Sequence, residues 1–393
     1  MPHILTRKHK DIEITNNVID GVKFNYIAHS TYEDKICVSC EGKNFFLTKL
    51  TKEDNHLIKI DSSTRVTPIK IVKQALNAYA KICGAEVLFS NASNDNNRLE
   101  PKKEYLKEIT YFVDEFSTTK DICVEVGFGS GRHMLYQAEQ NPDTIYIGLE
   151  IHTPSIEQML KQVKIKDIKN VYAVNYDARL FLEFLQSNSV SQVFVHFPVP
   201  WDKKPHRRVM SDEFIEECMR VLKVDGSLEL RTDSPNYFEY NEELLTHFPS
   251  YKSIIVKNQD LAISSKYEDR WKKQGKDIWD VTIYSKDESS DIIINKDFSF
   301  DIKNNISQEN LENNLPQKPV VKDGYFVHME HLYVINNNKF LLHLTMGSFN
   351  KPLAKYVVIE NSQANYFQSN PIPTSANQDA HKLINELLNK AIV

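Results

Sequence analysis

Five cysteines in 393 residues are too few and too unevenly spaced for a disulfide framework. Cys37 and Cys40 make one CxxC, but Cys83, Cys123 and Cys218 supply no second pair, so a four-ligand zinc site has no basis. The 13 histidines show no ligand spacing, and no metal is expected. The chain lacks any run of about 18 apolar residues, which excludes a membrane-spanning helix. Its opening residues, MPHILTRKHKDIEI, lack the apolar core of a secretory signal, and a cytoplasmic protein is the expectation. No long-period internal repeat is present. An excess of positive charge is missing too: 48 basic residues face 53 acidic ones, for a net charge of −5. That excludes a globally basic nucleic-acid binder. It leaves room for a local basic patch, because a phosphate backbone senses the nearby field. What remains, 41% hydrophobic and 26% charged residues, is the composition of a soluble globular protein of more than one domain.

Two polar stretches, 90–103 and 287–319, divide the sequence and read as connections. Residues 1–100 mix short β-type runs with one helical stretch, TPIKIVKQALNAYAKICG, opened by Pro68 and closed by Gly84. They are expected to form an α+β accessory domain. Residues 101–286 alternate apolar strands with helices, which predicts an α/β fold with a mostly parallel, Rossmann-like sheet. Ser211 is the expected N-cap of the helix SDEFIEECMRVLK, and SIIVKN and IWDVTIYS are expected to close the sheet edge as a hairpin. Residues 287–319 are the expected linker. Residues 320–393 place two strands around an NNN turn and end in a helix, AHKLINELLNKAI, and are expected to form a second small α+β domain.

The sharpest motif is VEVGFGSGRH, residues 124–133. Gly127, Gly129 and Gly131 form a GxGxG turn between a strand and a helix, where open α/β sheets bind ligands. The dinucleotide pattern GxGxxG fails at Arg132, which disfavours a nicotinamide-dependent oxidoreductase. Glu125 beside the turn would repel a pyrophosphate. It suits the ammonium of S-adenosylmethionine, paired directly or through water. Glu150 ends the second strand, where an acid accepts hydrogen bonds from ribose hydroxyls. Asp177 ends the third, where an acid suits an adenine amino group. The fourth strand runs into HFPVPWDKKPHRR, residues 196–208, with Trp201 placed to stack on a base and Lys203, Lys204, Arg207 and Arg208 to meet phosphates. Asp233 ends the fifth strand. Residues 265–280 add Lys266, Arg270, Lys272, Lys273 and Lys276, interleaved with Tyr267, Trp271 and Trp279.

In order and spacing these motifs resemble those of bacterial tRNA (guanine-N7-)-methyltransferases. EVGFGSG, YIGLEIHTPS, DA, FPVPWDKKPHRR, RTDS, SKYEDRW and IWDVTIY carry the resemblance, over residues 105–285. It implies a class I methyltransferase core with a seven-stranded sheet, S-adenosylmethionine as cofactor and tRNA as partner. It implies methyl transfer to N7 of the variable-loop guanine. Glu125, Gly127, Gly129, Gly131, Glu150 and Asp177 would then contact the cofactor. Lys203, Arg207, Arg208, Asp233, Ser265, Lys266, Tyr267 and Glu268 would contact RNA. Where the family has FPDPW this chain has Val199 in place of the aspartate. Guanine N7 has a free lone pair and no proton, so the reaction needs positioning rather than a general base. A carboxylate still stabilises the positive charge that methylation creates. Asp202 and Asp233 are the candidates, with Asp233 the catalytic assignment. Action on another RNA, and RNA binding without catalysis, stand as alternatives.

Overall fold

The computed structural model describes residues 2–9, 16–93, 101–176, 178–260, 262–263, 268, 274–349 and 351–391, with no side chain described at 178 and 179. The chain forms two compact units. One is Leu99–Ile294; the other joins Met1–Arg98 to Asn295–Val393.

The Leu99–Ile294 unit is built on seven main strands, numbered in chain order: β1 Asp121–Val126, β2 Thr144–Leu149, β3 Val171–Val174, β4 Val190–His196, β5 Leu222–Thr232, β6 Lys252–Lys257 and β7 Trp279–Tyr284. They lie in the order β6-β7-β5-β4-β1-β2-β3, with the two-residue strand Leu106–Lys107 beyond β3. Strands β1 to β5 run parallel to one another, and β7 runs antiparallel between β5 and β6. The expected α/β class holds, and the last two strands pair antiparallel, with β7 inside the sheet and β6 at its edge. Val124, Ile147, Val171, Val193 and Leu228 are fully buried, as parallel strands covered on both faces require. The helices Asp212–Val221 and Pro235–Leu245 start where short polar side chains cap them. Ser211 Oγ accepts from the Phe214 amide, and Ser234 Oγ accepts from that of Tyr237.

The other unit holds one twelve-stranded sheet. The two terminal segments, separate domains on sequence grounds, share it: strand Val22–His29 pairs with Phe326–Asn336 at His29 and Val334. One face is covered twice, by the helix Ile69–Ile82 over Phe24, Ile36, Val38 and Phe45, and by the helix Ser375–Lys390 over Leu342, Leu344, Val357 and Ile359. On the other face Phe46 packs on Tyr356 and Phe367, with ring centroids 5.0 and 4.1 Å apart. Beside them Lys35 Nζ lies 2.8 Å from Asp61 and 2.6 Å from Glu33, and Tyr356 donates to Asp61 at 2.9 Å. The stretch 287–319 is more than a connection. Phe298, Ile302, Ile306, Leu311 and Leu315 are buried in the C-terminal core, and Asn385 and Asn389 accept from the backbone amides of Asp301 and Lys303. Its Asn- and Ser-rich composition masks these apolar anchors. Among the described residues no helix is long and apolar enough to cross a membrane.

Candidate functional site

Of the expected site residues that are described, most lie at or just past the carboxyl ends of β1, β2, β4 and β5. Glu125 is buried near the end of β1, its Oε2 2.7 Å from His133 Nδ1. The turn after β1 ends at Gly131, the N-cap of the helix Arg132–Gln140. Its φ of 71° favours glycine, and a β-carbon there would strike Met159. Gly127 faces open space, since a β-carbon on it would meet nothing within 4 Å; one on Gly129 would meet only the Gly127 carbonyl, at 4.0 Å. The backbone edge of the turn is therefore open to a ligand.

Glu150, at the tip of β2, accepts hydrogen bonds from three backbone amides: Gly129 at 2.9 Å, Ile151 at 2.8 Å and His152 at 2.9 Å. It ties the glycine turn to the second strand. Asp177 lies outside the described residues. Two carboxylates thus flank an open backbone turn. This donor set fits S-adenosylmethionine: Glu125 suits its ammonium, Glu150 its ribose hydroxyls, and the turn admits close approach.

The tip of β4 is conformationally unusual. Phe197 (φ 51°) and Trp201 (φ 47°) both sit in the left-handed region, where bulky side chains are rare. The Phe197 amide donates to the Arg231 carbonyl at 2.8 Å, which pins the loop to β5. Val199 is 60% exposed. The basic run then divides. Lys203, Lys204 and Arg207 are exposed, with the Arg207 guanidinium 5.2 Å from the Trp201 ring centre. Arg208 turns inward. Its Nε donates to the Pro200 carbonyl at 2.8 Å, it faces Asp202 at 3.6 Å, and it lies 4.3 Å from the Tyr240 ring centre. Expected on RNA phosphates, Arg208 instead fastens the loop to the helix Pro235–Leu245.

Asp233, beyond the end of β5, is held by Lys276 Nζ at 2.9 Å. Glu268 is buried with its carboxylate 3.4 Å from Arg231, while Ser265, Lys266 and Tyr267 lie outside the described residues. Arg231 is 1% exposed, and its Nε sits 2.5 Å from Asp280 Oδ1. Burial pushes the Asp280 carboxyl above the usual carboxylate range, against the pull of Arg231. Sequence reasoning missed His133, His196, Glu229, Arg231 and Asp280 as a set. The available signal was charge inside otherwise apolar strands: HF closing β4, ELR in β5, WD opening β7. Among the described residues no group of three or more His, Cys, Asp or Glu side chains is arranged to hold a metal ion.

A family model described as "Putative methyltransferase" matches residues 119–281, from before β1 into β7. The tRNA (guanine-N(7)-)-methyltransferase of Wolinella succinogenes is 44% identical over 364 residues, 91% of each chain. That of Campylobacter fetus subsp. fetus is 36% identical over 99% of each chain, and that of Helicobacter hepaticus 38% identical over 99% of each. The chain belongs to the tRNA (guanine-N(7)-)-methyltransferase family. Its cofactor is accordingly S-adenosylmethionine. The similarity to the Campylobacter and Helicobacter family members runs through both terminal segments, so the second unit is shared with them. Among solved structures, the 16S rRNA methyltransferase KamB overlays 48% of this chain and 95% of its own, with 15% identity and a TM-score of 0.34.

Proposed function

We propose that this protein transfers the methyl group of S-adenosylmethionine to N7 of the variable-loop guanine of tRNA. One observation carries the reading: Glu125, the open glycine turn and Glu150 adjoin a strand tip whose next loop turns Lys203, Lys204 and Arg207 to solvent. The cofactor side of the site, in this reading, borders an exposed basic edge suited to phosphates. In this reading Glu125 holds the amino end of the cofactor, Glu150 the ribose, and Asp177 the adenine. When bound, the cofactor supplies an activated methyl carbon. The protein's part is to hold N7 in line with that carbon. Asp233 stabilises the positive charge left on the base, and it does so once RNA draws Lys276 away from it. Asp202 is the second candidate: its side chain is half exposed on the basic loop, where water screens its charge more than that of Asp233. Val199 brings no charge, and its exposure leaves it free to line the base-entry side. A tRNA substrate places the protein in the cytoplasm.

The test is incubation with unmodified tRNA transcript and methyl-labelled S-adenosylmethionine, followed by identification of the labelled nucleoside. Label in 7-methylguanosine, lost when the variable-loop guanine is changed, supports the proposal. Label on another RNA alone, or cofactor binding without transfer, overturns it.

A further inference from the structure

Glu125 heads a row of polar side chains that crosses one face of the sheet. Register pairs Glu125 with Phe194 and Phe194 with Glu229, and it pairs His196 with Arg231 and Arg231 with Asp280. These side chains therefore stand together at the carboxyl ends of β1, β4, β5 and β7. His133 closes onto the row from the helix Arg132–Gln140. Its Nδ1 is 2.7 Å from Glu125 Oε2, and its ring centre is 4.4 Å from that of His196. His196 Nε2 is in turn 2.8 Å from Glu229 Oε1. Two imidazoles in contact, their planes tilted by 57°, are bracketed by two carboxylates. The His133 and Glu125 side chains are 11% and 4% exposed, so water screens their pairing little.

The carboxylate that His133 holds is the one assigned to the cofactor's ammonium. Paired with an imidazolium, Glu125 has little net charge left to attract a second cation. Paired with a neutral imidazole it keeps its full charge, and Nδ1–H still donates and keeps it aimed. We propose that His133 is a positioning residue for the cofactor, charged against Glu125 in the free protein and releasing its Nε2 proton to solvent as the cofactor's ammonium takes its place. This rests on the cofactor role of Glu125.

Two further observations agree. The side-chain amide of Gln137 lies 3.3 Å from His133 Nε2, where its N–H serves a neutral ring and its oxygen, after a flip, a charged one. Burial opposes charge on His133, but Glu125, with Glu229 behind it, outweighs that and holds the imidazole above the usual histidine range. The charged and titratable groups acting on His133 are Glu125 from β1, His196 from β4, and Glu229 and Arg231 from β5.

The experiment is calorimetric titration of the full-length protein with S-adenosylhomocysteine, from about pH 5.5 to about pH 8, in buffers of differing ionisation enthalpy. Wild type should release protons on binding at the acid end. Its affinity should rise with pH, at up to about tenfold per pH unit, the limit for one linked proton. His133→Gln keeps an amide donor for Glu125 and should release no proton, with affinity flat across the range. Wild type binding without proton release overturns the proposal, as does a His133→Gln variant that releases as many protons. So does a slope that survives in His133→Gln and vanishes in His196→Gln. Glu125→Gln separates the two levels. If it binds like wild type, the cofactor role of Glu125 fails and the inference with it. If it binds weakly while wild type releases no proton, the inference alone fails.

Discussion

Replacing Arg231 with Met tests whether the charged row is part of what holds the sheet together. Arg231 is 1% exposed and lies between the Asp280 and Glu268 carboxylates. Arg231→Met has nearly the right length but takes from the buried Asp280 carboxylate the guanidinium that faces it. Removing one partner of a buried ion pair costs about 3–5 kcal/mol. For a unit of this size that lowers the melting temperature by roughly 6–20 °C. The measurement is straightforward because Trp201, Trp271 and Trp279 are the chain's 3 tryptophans. All fall in Leu99–Ile294, so tryptophan fluorescence follows that unit alone. The defect also has a sign with pH. Burial already raises the Asp280 carboxyl, and without Arg231 it rises further. Carboxyls raised in the folded state favour folding at low pH and lose that contribution as pH climbs past their unfolded value. Arg231→Met should therefore be worse at pH ~8 than at pH ~5. Adding Asp280→Asn should recover most of the loss, since the carboxylate that lost its guanidinium is then neutral. A loss under about 1 kcal/mol, or one that ignores pH, would refute the account of the row as a buried charge network.

Asp233→Asn should lower kcat by about 10²-fold in the tRNA methylation assay and leave S-adenosylhomocysteine affinity unchanged; an unchanged kcat removes Asp233 from the mechanism. Lys203→Ala and Arg207→Ala should weaken tRNA binding whatever the loop sequence and reduce the slope of log affinity against log salt by about 1 each, which filter binding across a salt series will read. In the other unit, burial opposes charge on Asp61 and Glu33, but Lys35 outweighs it and holds both carboxyls below the usual carboxylate range. Carboxyls lowered in the folded state stabilise it above their unfolded values, so that unit should lose stability as pH falls below about 4, and Asp61→Asn should flatten the loss, as followed by hydrogen exchange of the strand Lys43–Lys52.

The catalytic sheet was legible because its information is local. Apolar runs, glycine punctuation and Ser211 at its helix start each act within a few residues. The hydrogen bond from the Gly129 amide to Glu150 joins the two strand ends that the glycine turn and the acid mark in the sequence. The union of the two termini was not legible, since His29 and Val334 pair across some 300 intervening residues and nothing in either strand names the other. The reach of 287–319 was hidden for another reason. Composition averages over the segment, whereas burial depends on five anchors, Phe298, Ile302, Ile306, Leu311 and Leu315. The run HFPVPWDKKPHRR looked uniform because charge is visible in a sequence and direction is not. Only the ring of Tyr240 and the Pro200 carbonyl show that Arg208 faces inward.

That division explains how an acidic protein affords a basic loop beside its cofactor crevice. A run of cations repels itself and frays unless something fixes its path. Here one member is used for fixing. Arg208 exchanges water for a carbonyl, two tyrosine faces and the Asp202 carboxylate, and a planar guanidinium can stack and donate at once where an ammonium cannot. With Arg208 fastened and Phe197 bonded to the Arg231 carbonyl, Lys203, Lys204 and Arg207 are exposed on an anchored loop. The same anchor joins the outer loop to the buried row, because Arg231 supplies that carbonyl while its guanidinium meets Glu268 and Asp280. In the proposed reading, a force that RNA exerts on the loop would reach β5, two residues from Asp233, through the Phe197–Arg231 hydrogen bond. In the proposed mechanism Val199 brings no carboxylate, and the charge that would face a methylated guanine is that of Asp233, just past the end of β5 where the loop is anchored, rather than one on the exposed tip of the loop.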